Sequence, residues 1–236
     1  MIFEYKTMGL EKNLLYEVLA TTISIETYSR STPNTACMGI KIRDDDLISM
    51  KPYPTTKTFQ NIKKLPLIIL NFVDDILLYA IMALKESSAI KNNENSCESY
   101  YDFLKENFLS NYKDTISIPF VKDSWAIIIC EVQKENTEKK VDELGGVNLT
   151  EFLMKPIYFK KFRESFKLYN RAENLILENI ILATRLKVAS KMEDKKVLKR
   201  LNSKIVENID IISKFNKNER ILKTLDYLNQ FVKKFY

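Results

Sequence analysis

The chain has 236 residues, 45% of them hydrophobic, with six prolines and four glycines, so it can bury a real core and is neither collagen-like nor low-complexity. It contains no histidine, which excludes histidine triads and the usual zinc-enzyme sites, and its three scattered cysteines, Cys37, Cys97 and Cys130, fit neither a zinc cluster nor a disulfide framework. The net charge of +6 is gathered late: from Ile180 onward 14 Lys and Arg stand against 6 Asp and Glu, and before it 23 stand against 25.

In chain order, the N-terminal residues MIFEYKTMGLEKN hold no apolar stretch of the signal-peptide kind. With unpaired cysteines this leads to the expectation of a soluble, cytoplasmic protein. YEVLATTISIET, Tyr16 to Thr27, predicts a strand, with Thr32-Pro33-Asn34 as the turn after it and Thr35 to Arg43 as a second strand. Asp44-Asp45-Asp46 reads as a solvated turn, and Lys51-Pro52-Tyr53-Pro54 as an extended loop, since proline disfavours helix in the residue before it. Thr56 to Lys64 predicts a short helix with Phe59 and Ile62 on one face.

The most apolar window, Leu65 to Leu84, is interrupted by Asp74 and Asp75. A charge at mid-bilayer costs about 2.5–3.5 kcal/mol on insertion scales, so the window reads as a buried strand, PLIILNFV, followed by a helix, DDILLYAIMALK. Residues 87–97 read as a loop, Trp125 to Val132 as a buried strand, and Glu135 to Gly146 as a charged linker or hairpin.

The last third is helical by pattern. Leu168, Ala172, Leu175, Asn179, Leu182, Leu186 and Ala189 form one stripe, and Val197, Leu201, Ile205, Ile209 and Ile212 a second. Ile221, Leu225, Leu228, Val232 and Phe235 form a third, so three amphipathic helices predict a small bundle. Arg171, Glu178 and Arg185 share one helix face and read either as an ion-pair row that docks the tail or as a polar site.

The chemistry is concentrated between Thr32 and Ile62. Thr55, Thr56, Lys57 and Thr58 place three hydroxyls and an ammonium where a loop enters a helix, whose free N–H groups favour an anion; Asn61 lies one turn on and Lys51 precedes the loop. The same residues are also good capping chemistry. Asn34-Thr35-Ala36-Cys37-Met38-Gly39 is a strand of small residues against which a flat ring could lie, or simply a barrel bend.

The order PN-x-A-x-MG, a hairpin, T-x-T-x-x-N and an apolar strand resembles the flavin-reductase-like FMN-binding split-barrel proteins. Within them it resembles an archaeal family of unknown function, domain of unknown function family 447, whose tail signature is matched by Asn170-Arg171-Ala172, Glu178 and Ala183-Thr184-Arg185-Leu186. The resemblance implies an α+β chain: an FMN-binding split β-barrel over residues 1–160 and a helical C-terminal domain over 161–236 packed on it. It further implies a homodimer with FMN at the interface. Thr56, Thr58 and Asn61, with Lys51 or Lys57, would hold the phosphate; Asn34, Thr35, Ala36, Cys37, Met38 and Gly39 would line the ring. Trp125 would be a ring contact or a core residue.

The expected function is that of an FMN-dependent oxidoreductase, fed by a nicotinamide or deazaflavin donor, with the redox chemistry supplied by the cofactor. The alternatives are a non-catalytic FMN-binding module and a nucleic-acid-binding protein acting through the basic helices. No membrane partner and no metal are expected, and no residue is named as catalytic.

Overall fold

The computed structural model of the protein describes residues 5–27, 30–84, 97–104, 118–142, 145–165, 171–215 and 218–235. Among the described residues eight strands and five α-helices follow one another as β1 (Tyr16–Thr27), β2 (Arg30–Ile42), β3 (Ile48–Met50), α1 (Lys57–Lys64), β4 (Leu67–Phe72), α2 (Ile76–Leu84), β5 (Tyr101–Leu104), β6 (Ile118–Val121), β7 (Ala126–Asp142), β8 (Gly145–Lys161), α3 (Arg171–Lys191), α4 (Lys195–Phe215) and α5 (Glu219–Val232). Six strands close a barrel in the order β1-β2-β3-β8-β7-β4, and β5 and β6 form a separate two-stranded sheet. The chain divides into two compact units: the first is Met1–Val73, Ile90–Lys140 and Val147–Ser165, the second Asp74–Ala89, Val141–Gly146 and Phe166–Tyr236.

In the first unit, alternation along the strands sorts side chains onto two cores. Val18 and Ala20 of β1, Ile40 and Ile42 of β2, Ile68 and Leu70 of β4 and Ile128 of β7 join Ile62 of α1 in one cluster. The intervening Ile23, Leu67, Ile69, Ile127 and Ile129 meet Leu104, Ile118 and Phe120 of β5 and β6 in a second. β4 and the start of β7 are therefore buried on both faces, which explains why they are apolar throughout save Asn71.

The chain runs as a strand through Thr32-Pro33-Asn34, where the sequence predicts a turn. Pro33 faces Ile23 in the β1–β2 register, whereas β3 pairs only with Ile40 to Ile42 of β2. Among the described residues, the far edge of Arg30 to Gly39 thus meets no strand, and an edge tolerates a residue without an N–H. Glu135 to Asp142, read as linker or hairpin, continues β7, and β8 follows from Gly145.

In the second unit, α2 packs with α3 and α5, and α3 packs along α4. The predicted stripes face inward: Ala172, Asn179, Leu182, Leu186 and Ala189 are buried, as are Val197, Leu201, Ile205 and Ile212, and Ile221, Leu225, Leu228 and Val232; Leu168 lies outside the described residues. Asp75 caps α2 by accepting from Leu77 N at 3.0 Å, and the Arg220 guanidinium grips the same carboxylate through two nitrogens. Glu178 is exposed and stands two helical turns, about 10 Å, from both Arg171 and Arg185, so the three do not form a chain of ion pairs. Among the described residues no helix is long and apolar enough to cross a membrane.

Candidate functional site

The loop after β3 enters α1 through Thr56, whose backbone is extended and whose hydroxyl accepts from Phe59 N at 3.2 Å while donating to the Tyr53 carbonyl at 2.7 Å. Thr56 is therefore the N-cap, with its hydroxyl committed on both sides. The N–H groups of Lys57 and Thr58 find no acceptor among the described residues, and the Thr55 and Lys57 side chains are exposed beside them.

Thr58 and Asn61, one turn apart, face inward and are 2% and 3% exposed. Asn34 Nδ2 donates to Thr58 Oγ1 at 3.3 Å, which joins strand β2 to the helix start. Asn61 Nδ2 donates to Thr22 Oγ1 at 3.1 Å, and that hydroxyl in turn donates to the Asn34 carbonyl at 3.2 Å. Thr22 and Asn34 are register partners across β1 and β2, so α1 is fastened to one cross-strand pair at two points.

Alternation along β2 divides Asn34 to Gly39 between two faces. Met38 packs against the barrel cluster that contains Ile40, and Ala36 and Asn34 share its face. Thr35 points the other way, fully buried, its hydroxyl 2.7 Å from both Thr21 Oγ1 and Tyr101 Oη. On that same face Cys37 donates to Glu17 Oε2 at 3.5 Å, and a side chain at Gly39 would come within 2.9 Å of Leu15 Cδ1. Burial, and secondarily the Glu17 carboxylate, pushes the Cys37 thiol well above the ordinary range, so it stays protonated.

Lys51 lies past the end of β3, held by Glu138 at 2.5 Å with Glu151 at 3.9 Å. Arg43 stands 3.8 Å from the same Glu151 oxygen, which is buried without a hydrogen bond. Trp125, partly buried, packs its ring 5.5 Å from Phe72, and its backbone N–H donates to the Phe72 carbonyl. The structure thus brings Asn34, Thr56, Lys57, Thr58 and Asn61 together around α1, ties Lys51 to acidic side chains of β7 and β8, and sets Trp125 against the barrel core.

Three buried polar residues that sequence reasoning passed over complete this arrangement. Thr22 is the partner of Asn61. Asn71 of β4 donates to the Leu19 carbonyl and to Thr21 Oγ1, and accepts from Val121 N at 2.8 Å. Tyr101 joins it through Thr21 and Thr35. Asn71 is signalled only as a polar side chain inside an apolar strand and Thr22 and Tyr101 not at all, and none of the three positions gives a partner. Among the described residues no group of acidic, cysteine or histidine side chains is placed to hold a metal ion.

The chain is similar in structure to an FMN-bound protein from Methanosarcina mazei, with a TM-score of 0.70 over 97% of this chain and 100% of that one, at 16% identity. That match shows a shared fold, a six-stranded barrel with a helical C-terminal part. Weaker likenesses are to an NADH:FAD oxidoreductase of Streptomyces globisporus (TM-score 0.41, 12% identity, 62% of this chain and 77% of that one) and to an FMN-binding protein from Thermus thermophilus (TM-score 0.43, 9% identity, 63% and 72%). No curated protein matches the chain in sequence. The model of a family of proteins of unknown function, the DUF447 N-terminal domain, matches residues 16–149, more than half of the chain. By that match, on the strands and the α1 start described above, this chain is a member of the DUF447 family.

Proposed function

We propose that the protein binds FMN, with the phosphate at the N-terminal turn of α1 and the isoalloxazine ring along β2 between Asn34 and Gly39. The observation that carries this reading is the Asn34–Thr58 contact, which sets a helix start with uncommitted donors beside a strand with an open edge. The donor set suits a phosphate: the N–H groups of Lys57 and Thr58, the Lys57 ammonium and the Thr55 hydroxyl. Thr58 Oγ1, already accepting from Asn34, keeps its own proton to donate. Thr56 caps the turn, Asn61 backs it, and Lys51 lends its charge only as far as Glu138 and Glu151 allow.

The backbone of Asn34 to Gly39, unpaired by β3, offers N–H and carbonyl groups to the polar edge of the ring. Asn34, Ala36 and Met38 present side chains to one side of the sheet and Thr35 and Cys37 to the other, so the strand contributes chiefly its edge. FMN, when bound, supplies the redox chemistry. The chain's own part is to hold the phosphate, orient the ring and limit its access to water. By this reading the protein is an FMN-dependent oxidoreductase working as a homodimer with the flavin at the subunit interface, and a nicotinamide or deazaflavin reduces it.

Lys57→Ala and Thr58→Ala are each expected to weaken FMN by about 10- to 150-fold, since charge-assisted hydrogen bonds contribute about 1.5–3 kcal/mol. Titration of flavin fluorescence measures this, and unchanged affinity in both variants removes the turn from the site. The FMN-loaded protein should scatter light as a dimer, and NADH, NADPH or a reduced deazaflavin should bleach its visible absorption. A monomer that saturates with FMN sinks the interface, and a flavin that none of the donors reduces favours a non-catalytic FMN-binding module.

A further inference from the structure

We propose that Thr22 and Asn61 are a positioning pair that aims the α1 turn, making the site selective for a flavin that carries a phosphate over one that does not; the proposal rests on the FMN reading above. Asn61 stands at the position where the sequence suggests a phosphate ligand, yet its amide nitrogen donates to Thr22. Thr22 is wholly buried in β1 and cannot touch a ligand.

The pair belongs to a closed circuit. It runs from Asn61 on the helix to the Thr22 hydroxyl, to the Asn34 carbonyl, and back from the Asn34 amide to Thr58. An eight-residue helix does not hold itself in water, so its orientation is set by what it is attached to. Ile62 and Phe59 press α1 onto the barrel cluster, but apolar contact is non-directional and leaves rotation about the helix axis loosely fixed. Two hydrogen bonds one turn apart, both to the Thr22/Asn34 cross-strand pair, fix that rotation. Because N–H donation to an anion weakens steeply with misdirection, the rotation decides how well the Lys57 and Thr58 N–H groups meet a phosphate. A flavin without phosphate makes no demand on that turn. The bond from Asn34 to Thr58 also sets the Thr58 hydroxyl as acceptor on its inner side, so that its proton is directed elsewhere.

The test compares affinities for FMN and riboflavin, by fluorescence titration, in the full-length wild type and in Thr22→Val, Thr22→Ser, Asn61→Ala and the Thr22→Val/Asn61→Ala double variant. Thr22→Val is expected to weaken FMN by about tenfold, the worth of one buried hydrogen bond, and to leave riboflavin unchanged. Thr22→Ser, which keeps the hydroxyl, should restore FMN binding, and the double variant should lose no more than Asn61→Ala alone. Should Asn61→Ala lose FMN while Thr22→Val keeps wild-type affinity, Asn61 is a direct ligand and the pair is overturned. Parallel loss of both flavins in Thr22→Val and Asn61→Ala also overturns it, as the signature of general destabilisation. If the valine variant does not fold, Thr22→Ala, which also removes the hydroxyl, takes its place, and wild-type FMN affinity in it overturns the pair in the same way. Wild-type protein that takes up no FMN instead sinks the functional reading itself.

Discussion

Cys130 is fully buried in β7, and burial alone pushes its thiol well above the ordinary range; Cys37 is pushed up the same way, with help from Glu17. Both thiols keep their protons in the folded chain at a pH where they lose them in the unfolded one. Above about pH 8.5 the unfolded state therefore binds fewer protons than the native state, and stability falls as pH rises. Below that pH the contribution is fully present. Chemical denaturation between pH 7 and 9.5 should show a shallower loss in Cys130→Ala than in wild type; equal slopes would mean that the thiol titrates normally in the fold. By the same argument thiol reagents at pH 7.5 should modify neither cysteine until denaturant is added. Shielding of this kind would mark Cys37, although it sits within the proposed ring strand, as a small packing residue.

Asn179 shows what a polar residue does inside an element that is otherwise apolar. It is fully buried on α3, donating to the Ile205 carbonyl at 3.3 Å and accepting from Asn208 Nδ2 at 2.7 Å, both on α4. Asn179→Ala is expected to cost about 1–3 kcal/mol, because it leaves the Asn208 amide without its acceptor, and urea unfolding would read the loss. The stripe containing Asn179 is legible in sequence because a helix repeats every 3.6 residues over many turns. β4 and the start of β7 are legible as largely apolar runs of strand length, and β1 as a stretch rich in Val, Ile and Thr. β8 is not, since Leu149, Thr150, Glu151 and Phe152 are all buried in succession and no alternation survives. β5 and β6, four residues each, are too short to show a period. At the site, the capping residues of α1 stand in the sequence, but Asn34 and Thr58 are 24 residues apart and Thr22 and Asn61 are 39, and nothing local announces such partners.

For the whole molecule, the division into units does not follow chain order. α2 leaves the barrel sequence between β4 and β5, yet its neighbours are α3 and α5. Its Ile76, Leu78, Tyr79, Ala80, Met82 and Leu84 are buried, and burying a large aliphatic side chain is worth about 1.5–3 kcal/mol. Ending the chain after Ser165 is therefore expected to leave an apolar helix uncovered and to give insoluble protein, as sedimentation after expression would show. A soluble truncated form with bound flavin would mean that α2 finds cover without the C-terminal helices.

The placement of α2 also bears on how the protein is made. About 150 residues separate the end of α2 from the end of α5, and ribosomes add about 5–20 residues per second, so a nascent α2 waits roughly 7–30 seconds for its last partner. Throughout that interval one of the most apolar segments of the chain has emerged without its lining. Vectorial synthesis thus creates a window for holdase capture, one that slow codons in the α3–α5 region would widen and refolding of the full-length chain from denaturant would bypass.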